Sequence, residues 1–174
     1  VTAMNWILPA LVFSPVAAAP VSYALGRCSR CLRDAFVAAF CLLELVFALL
    51  LFFCGAEGWA LPGFCSLGIS FSGEGLGVLL ALLAALGWFT ATLMLREYFA
   101  HARNRNRYYF FWLLTLSGTV GVFLSADLFT TFIFFELMSF ASWVMVIHTE
   151  KPDALKASET YLAVAAAVAA FRAE

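Results

Sequence analysis

Between Leu76 and Leu95 the chain carries no charged residue, and runs of this kind recur along its length. Thr2–Leu25 and Tyr108–Ala126 are also uncharged, while Ala35–Cys54 and Leu128–Ile147 hold one acid each. A helix of about 20 apolar residues spans the roughly 30 Å hydrocarbon core of a bilayer. Within lipid, every backbone N–H and C=O must be satisfied inside the segment, so runs of this length fold as helices. The chain is therefore expected to be an all-α polytopic membrane protein of about six transmembrane helices. The sixth run starts near Ala154 and meets Arg172 after a short apolar stretch. Pro9, Pro15 and Pro20 interrupt the first, which membrane helices tolerate when neighbours satisfy the freed carbonyls.

Composition agrees. The chain is 64% hydrophobic and 12% charged, against about half and a quarter in soluble domains. A net charge of −1 with no strongly basic patch argues against nucleic acid as a partner. Five cysteines do not make a disulfide scaffold in such a chain. The first run has no basic segment before it and reads as a span, not a cleaved signal peptide.

The links between runs set an orientation. Arg27, Arg30 and Arg33 follow the first run, Arg96, Arg103, Arg105 and Arg107 the third, and Lys151 and Lys156 the fifth. The second link, Gly55–Gly75, has no Lys or Arg and carries Glu57 and Glu74; the fourth is a tight turn at Ser125-Ala126-Asp127. All the positive links fall on one side, which the positive-inside rule assigns to the cytoplasm. The expected location is the cell or inner membrane, with the N-terminus outside and the Arg-rich loops cytoplasmic. In the second link Leu67, Ile69 and Phe71 alternate with small residues, as a short outer strand or hairpin would.

Glu136 is the main candidate for chemistry. It lies nine residues past Asp127, roughly 14 Å along a helix axis and so near the bilayer midplane. A carboxyl at that depth faces a protein interior or a wet path, or is protonated. Its helical face carries Phe129, Phe132, Ser139, Phe140 and Trp143, with Ser139 one turn on as a hydrogen-bond partner. A carboxyl poised between charged and neutral suits a proton relay; the plainer account is a protonated group bonded to a neighbouring helix. Glu44 lies at similar depth without a motif around it, and helix packing is its plainer role. His148 is a candidate to pass protons between Glu136 and the cytoplasm, or an interfacial anchor like His101. Cys28-Ser-Arg-Cys31 lacks the four ligands that a zinc or iron–sulfur site takes. The Arg96–Arg107 cluster is a topology determinant that can touch anionic lipid. Lys156 and Glu159 make a surface pair at i, i+3.

From Phe71 to Leu162 the sequence resembles the antiporter-like membrane subunits shared by respiratory complex I, Mrp-type sodium/proton antiporters and membrane-bound hydrogenases. Glu74-Gly-Leu-Gly-Val-Leu-Leu is similar to the family's Asp-Gly-Leu lead into its third helix, with Glu for Asp. Gly121-Val-Phe-Leu-Ser-Ala-Asp127-Leu-Phe-Thr-Thr-Phe-Ile-Phe-Phe-Glu136-Leu-Met-Ser resembles its fourth-to-fifth helix core, the most specific of the three pieces. His148-Thr-Glu-Lys-Pro-Asp-Ala-Leu-Lys-Ala-Ser-Glu-Thr-Tyr-Leu162 looks like the cytoplasmic loop that follows.

The resemblance implies that Glu136 is the proton-channel glutamate of the fifth helix. In the family it couples to a lysine on a broken seventh helix: the cation holds the Glu ionised, and its withdrawal draws a proton in. It also implies that the chain corresponds to the N-terminal part of such a subunit, a fragment or a truncated product. Residues 1–70 would be helices one and two with an outer loop, and residues 71–174 the start of the antiporter-like domain, helices three to six. The expected function is a non-redox membrane subunit of a proton-translocating NADH-quinone oxidoreductase-like or hydrogenase-like complex. The alternatives are a Mrp-type Na+/H+ antiporter subunit, and a structural membrane protein that docks to such a complex without transport. No flavin, nicotinamide or complete cluster motif is present, so no cofactor and no metal is expected. Expected partners are other membrane subunits, the lipid bilayer, and protons or Na+.

Overall fold

The computed structural model describes residues 6–63, 68–98, 105–149 and 152–173. His101, Arg103, Lys151, Cys65 and Leu67 lie outside the described residues. Six helices follow one another, as expected: α1 (Ile7–Cys28), α2 (Arg30–Cys54), α3 (Leu76–Tyr98), α4 (Arg105–Leu124), α5 (Leu128–Val146) and α6 (Pro152–Ala173). A 3-10 turn, Ile147–Thr149, joins the last two. Strands β1 (Ala56–Leu61) and β2 (Ile69–Gly73) form an antiparallel hairpin between α2 and α3. Pro15 and Pro20 stay inside α1.

Helices α1, α2, α3 and α4 close a ring of neighbouring pairs, and α5 packs on α4 from outside it. The chief contacts of α6 are with α5 and the 3-10 turn. Four helices, α1, α2, α3 and α5, are long and apolar enough to cross a membrane by length and composition. Of the two that fall short, α4 and α6, α4 is the central helix. Tyr109, Leu113, Thr115, Leu116, Ser117, Gly118, Thr119, Val120, Gly121 and Leu124 of α4 are all buried. A helix enclosed by protein needs small and hydroxyl-bearing residues for close approach more than it needs bulk. Ser117 Oγ donates to the Val12 carbonyl at 2.6 Å, beside the Leu11 carbonyl that Pro15 leaves without its helical donor.

Two helix starts differ from the sequence reading. Arg30 and Arg33 lie in the first turn of α2 rather than in a link, and Arg105 and Arg107 open α4. The reason is that Arg33 is buried. It donates to Asp34 Oδ1 from Nε at 3.0 Å and from Nη2 at 2.6 Å, hydrogen-bonds Asn106, and lies 4.5 Å over the Tyr109 ring. Arg105 Nη2 reaches the other Asp34 oxygen at 3.1 Å. Asp34 thus ties α2 to α4. Gly26 leaves room for this, since a Cβ there would stand 2.4 Å from Asn106 Oδ1.

The hairpin covers the opposite end. Ile69, Phe71 and Gly73 are buried while Ser70 and Ser72 are half-buried, which is the alternation read in the sequence. Phe71 stacks on Trp59 at 5.9 Å and meets Phe134 of α5 at 5.6 Å. Gly75, at φ +71°, turns the chain from β2 into α3, a conformation that other residues rarely take. That gives a physical reason for glycine in the Glu74-Gly-Leu motif.

Candidate functional site

Asp127 starts α5 as its N-cap. Its Oδ1 accepts from the Thr130 amide at 2.7 Å and its Oδ2 from the Thr130 hydroxyl at 2.9 Å. Ser70 of β2 also donates to it. The Ser70 amide donates to Thr130 Oγ1 at 3.0 Å, and its carbonyl accepts from the Ala126 amide at 3.0 Å. One serine of the hairpin therefore binds the α4–α5 turn through side chain and backbone. Burial alone pushes the Asp127 carboxyl up, but the hydrogen bonds from Ser70, Thr130 and the Phe129 amide outweigh it and hold the group below its ordinary value.

The flank of α5 on α4 is fixed by two glycines. A Cβ on Gly118 would lie 2.8–2.9 Å from the Met138 backbone and Cβ, and one on Gly121 would lie 2.3 Å from the Phe134 ring. Thr115 Oγ1 adds a 3.4 Å contact to Met145 Sδ. With Phe134 and Met138 against α4, residue 136 falls roughly 160° away on the helix surface, at about 100° per residue. Glu136 is half-buried on that far face. Phe132 and Phe140, one turn to each side, are 37% and 57% exposed. Oε1 of Glu136 is itself buried and takes no hydrogen bond among the described residues. No bond joins Glu136 to Ser139. Two turns on, the buried Nε1 of Trp143 on the same face is likewise unpaired among the described residues.

The other two candidates sit elsewhere. Glu44 is 1% exposed between α2 and α1, where Ser14 donates to its Oε1 while Oε2 is buried with no hydrogen bond among the described residues. Its turn neighbour Cys41 lies 3.5 Å from Thr92, which accepts from Trp112 Nε1 at 3.0 Å. This hydroxyl node joins α2, α3 and α4. His148 is buried in the 3-10 turn, edge-on to Tyr108 at 5.2 Å. It lies twelve residues beyond Glu136, about 18 Å along the axis. The structure therefore brings none of Glu136, Glu44 and His148 into contact. Sequence reasoning missed Ser70, Asp34 and the Gly118–Gly121 pair; the Asp34-to-Arg105 spacing carries no pattern that could have shown them. Cys28 and Cys31 are free and exposed at the α1–α2 turn.

No family model matches the chain. Over 108 residues, 60% of the chain, it is 35% identical to a protein named as an antiporter subunit, mnhD2, of Staphylococcus haemolyticus. The like-named proteins of Staphylococcus saprophyticus and Staphylococcus epidermidis are 34% and 33% identical over the same length. The match spans 20% of each of these relatives. Among solved structures, that of the membrane-bound sulfane sulfur reductase, an archaeal respiratory membrane complex, shares the fold. It superposes with a TM-score of 0.83 at 20% identity, over 95% of this chain and 35% of that one. The fold defines a polytopic helical membrane protein. The resemblance to the antiporter-like membrane subunits is borne out by these relatives.

Proposed function

We propose that the chain is a portion of an ion-translocating membrane subunit in which Glu136 holds and releases the transported proton. One observation carries this reading. The only charge of α5 lies midway along that apolar helix, on the face turned from α4, with a buried carboxyl oxygen that no described residue bonds. An intramembrane carboxyl in such a place is a functional site by default. Neutralised, the group is cheap to bury; charged, it calls for a cation or water. Movement of a cation toward or away from that face would therefore load and unload a proton. The names of the curated relatives favour an antiporter of the Mrp type, exchanging Na+ for H+. A complex I-like or hydrogenase-like assembly is the second reading, favoured by the fold shared with a respiratory complex. In both, the partners are other membrane subunits.

The test is Glu136→Gln in the native complex, compared on inverted vesicles with matched complex content. Dye-reported proton movement should fall at least tenfold while assembly is kept, because the amide preserves shape and removes the titrating proton. Glu44→Gln should do less. Wild-type proton movement in Glu136→Gln, with loss in Glu44→Gln, would shift the relay to α2 and end this reading. Dependence of the movement on added Na+ separates the antiporter from the respiratory reading.

A further inference from the structure

Glu44 lies midway along α2, fourteen residues past Arg30 and ten before Cys54. It is buried, yet among the described residues it has neither a cation nor a full set of hydrogen bonds. Ser14 of α1 donates to Oε1, and Oε2 has no partner among the described residues. The nearest basic residue of α2, Arg33, is eleven positions away, roughly 16 Å along the axis, and Asp34 already holds it. In sequence, α1 has no basic residue before Arg27, and α3 none before Arg96. The adjoining turns of α2 place Cys41 and Ala48 on the same buried side, both apolar in character.

A buried carboxyl needs its charge neutralised and both oxygens bonded. A proton would remove the charge and leave Oε2 without a described partner. A small cation supplies both, and oxygen donors for one adjoin the carboxyl. The Ser14 hydroxyl gives its proton to Oε1 and keeps lone pairs for a further contact. Pro15 has no N–H, so the carbonyl of buried Leu11 lacks its helical donor. Leu11 and Ser14 are three residues apart and share a face of α1. Hard cations take carboxylate, hydroxyl and carbonyl oxygens, and helix carbonyls freed from their donors coordinate Na+ in membrane proteins. We propose that Glu44, Ser14 and the Leu11 carbonyl bind one Na+ between α1 and α2. Leu11, Cys41 and Ala48 are all buried around it, and such close walls favour Na+ over the larger K+. The site is separate from Glu136 and stands whether or not that carboxyl carries the transported proton.

The test uses the whole chain purified in detergent without Na+. Radioactive Na+ bound at equilibrium is counted by scintillation proximity. Thermal unfolding is followed by circular dichroism in NaCl, KCl and choline chloride of equal ionic strength. The chain should bind one Na+, and its Tm should rise with NaCl but not with KCl or choline chloride. Glu44→Gln should abolish both effects. Ser14→Ala should weaken Na+ binding at least about tenfold, as loss of a group that holds a metal-bound carboxylate does. Glu136→Gln should bind Na+ as the wild type does. If Glu44→Gln does not fold, Ser14→Ala decides alone. Equal Tm in NaCl and choline chloride with no bound Na+ overturns the proposal in favour of a protonated Glu44. Na+ binding kept in Ser14→Ala and lost in Glu136→Gln overturns it too, since the ion would then sit on α5.

Discussion

Replacing Asp34 by Ala removes the one acid between two guanidinium groups. Arg33 is 1% exposed and gives two hydrogen bonds to Oδ1, while Arg105 gives one to Oδ2. Removing one partner of a buried ion pair costs about 3–5 kcal/mol, chiefly because the surviving charge stays buried. Two features reduce this. Arg33 keeps Asn106 and its seat over Tyr109, a cation–π contact that contributes about 1–2 kcal/mol when desolvated. Arg105 is 10% exposed at the bundle end, where water can reach it. The expected loss is therefore about 2–3 kcal/mol. Asp34→Asn keeps an acceptor and should lose about half as much. Unfolding in mixed micelles, followed by circular dichroism against the SDS fraction, measures both. The loss should change little between low and high salt, because buried pairs are poorly screened. A loss under about 1 kcal/mol that vanishes in salt would mean a solvated rim pair and refute the burial argument.

Gly118→Val should destabilise the chain by about 1–3 kcal/mol in the same assay, because the new side chain meets the Met138 backbone and forces α4 and α5 apart. Asp127→Ala should cost about 1–2 kcal/mol and Asp127→Asn far less, since Asn also caps helices. Because the folded Asp127 carboxyl lies below its ordinary value, its contribution is complete above that value and fades as pH falls through the folded one; acid titration of the wild type against Asp127→Asn should show this difference. Cys28 and Cys31 should react with an impermeant thiol reagent from the cytoplasmic face, and Cys65 from the outer face; the reverse in verified intact vesicles would invert the topology.

Helix extents were legible because uncharged runs are a local property. Leu76 and Leu128 open α3 and α5 as read, and Asp127 caps α5. Helix faces were not legible, and α2 shows why. Its buried side carries Arg33, Val37, Cys41, Glu44, Ala48 and Leu51, while Leu42, Leu43, Val46, Leu49 and Leu50 face outward. In a membrane the solvent is as apolar as the core, so the larger hydrophobics do not mark the inside. The position of Glu136 midway along α5 could be counted from Asp127. Its direction could not, since that follows from Gly118 and Gly121 meeting Met138 and Phe134. The Ser70 latch joins residues 57 and 60 positions apart, and nothing local announces such a pairing.

That latch has a consequence for aim. A helix turns about 100° per residue, so nine residues from Asp127 to Glu136 amount to two and a half revolutions. The clamp at Ser70 sets the zero of that dial, and the carboxyl reads out half a revolution from it. One residue inserted or deleted between Leu128 and Phe135 would leave the depth nearly unchanged, by about 1.5 Å, yet swing the carboxyl by about 100°. The hairpin thus fixes where the turn count of α5 starts, and the Gly118 and Gly121 contacts hold the azimuth that results.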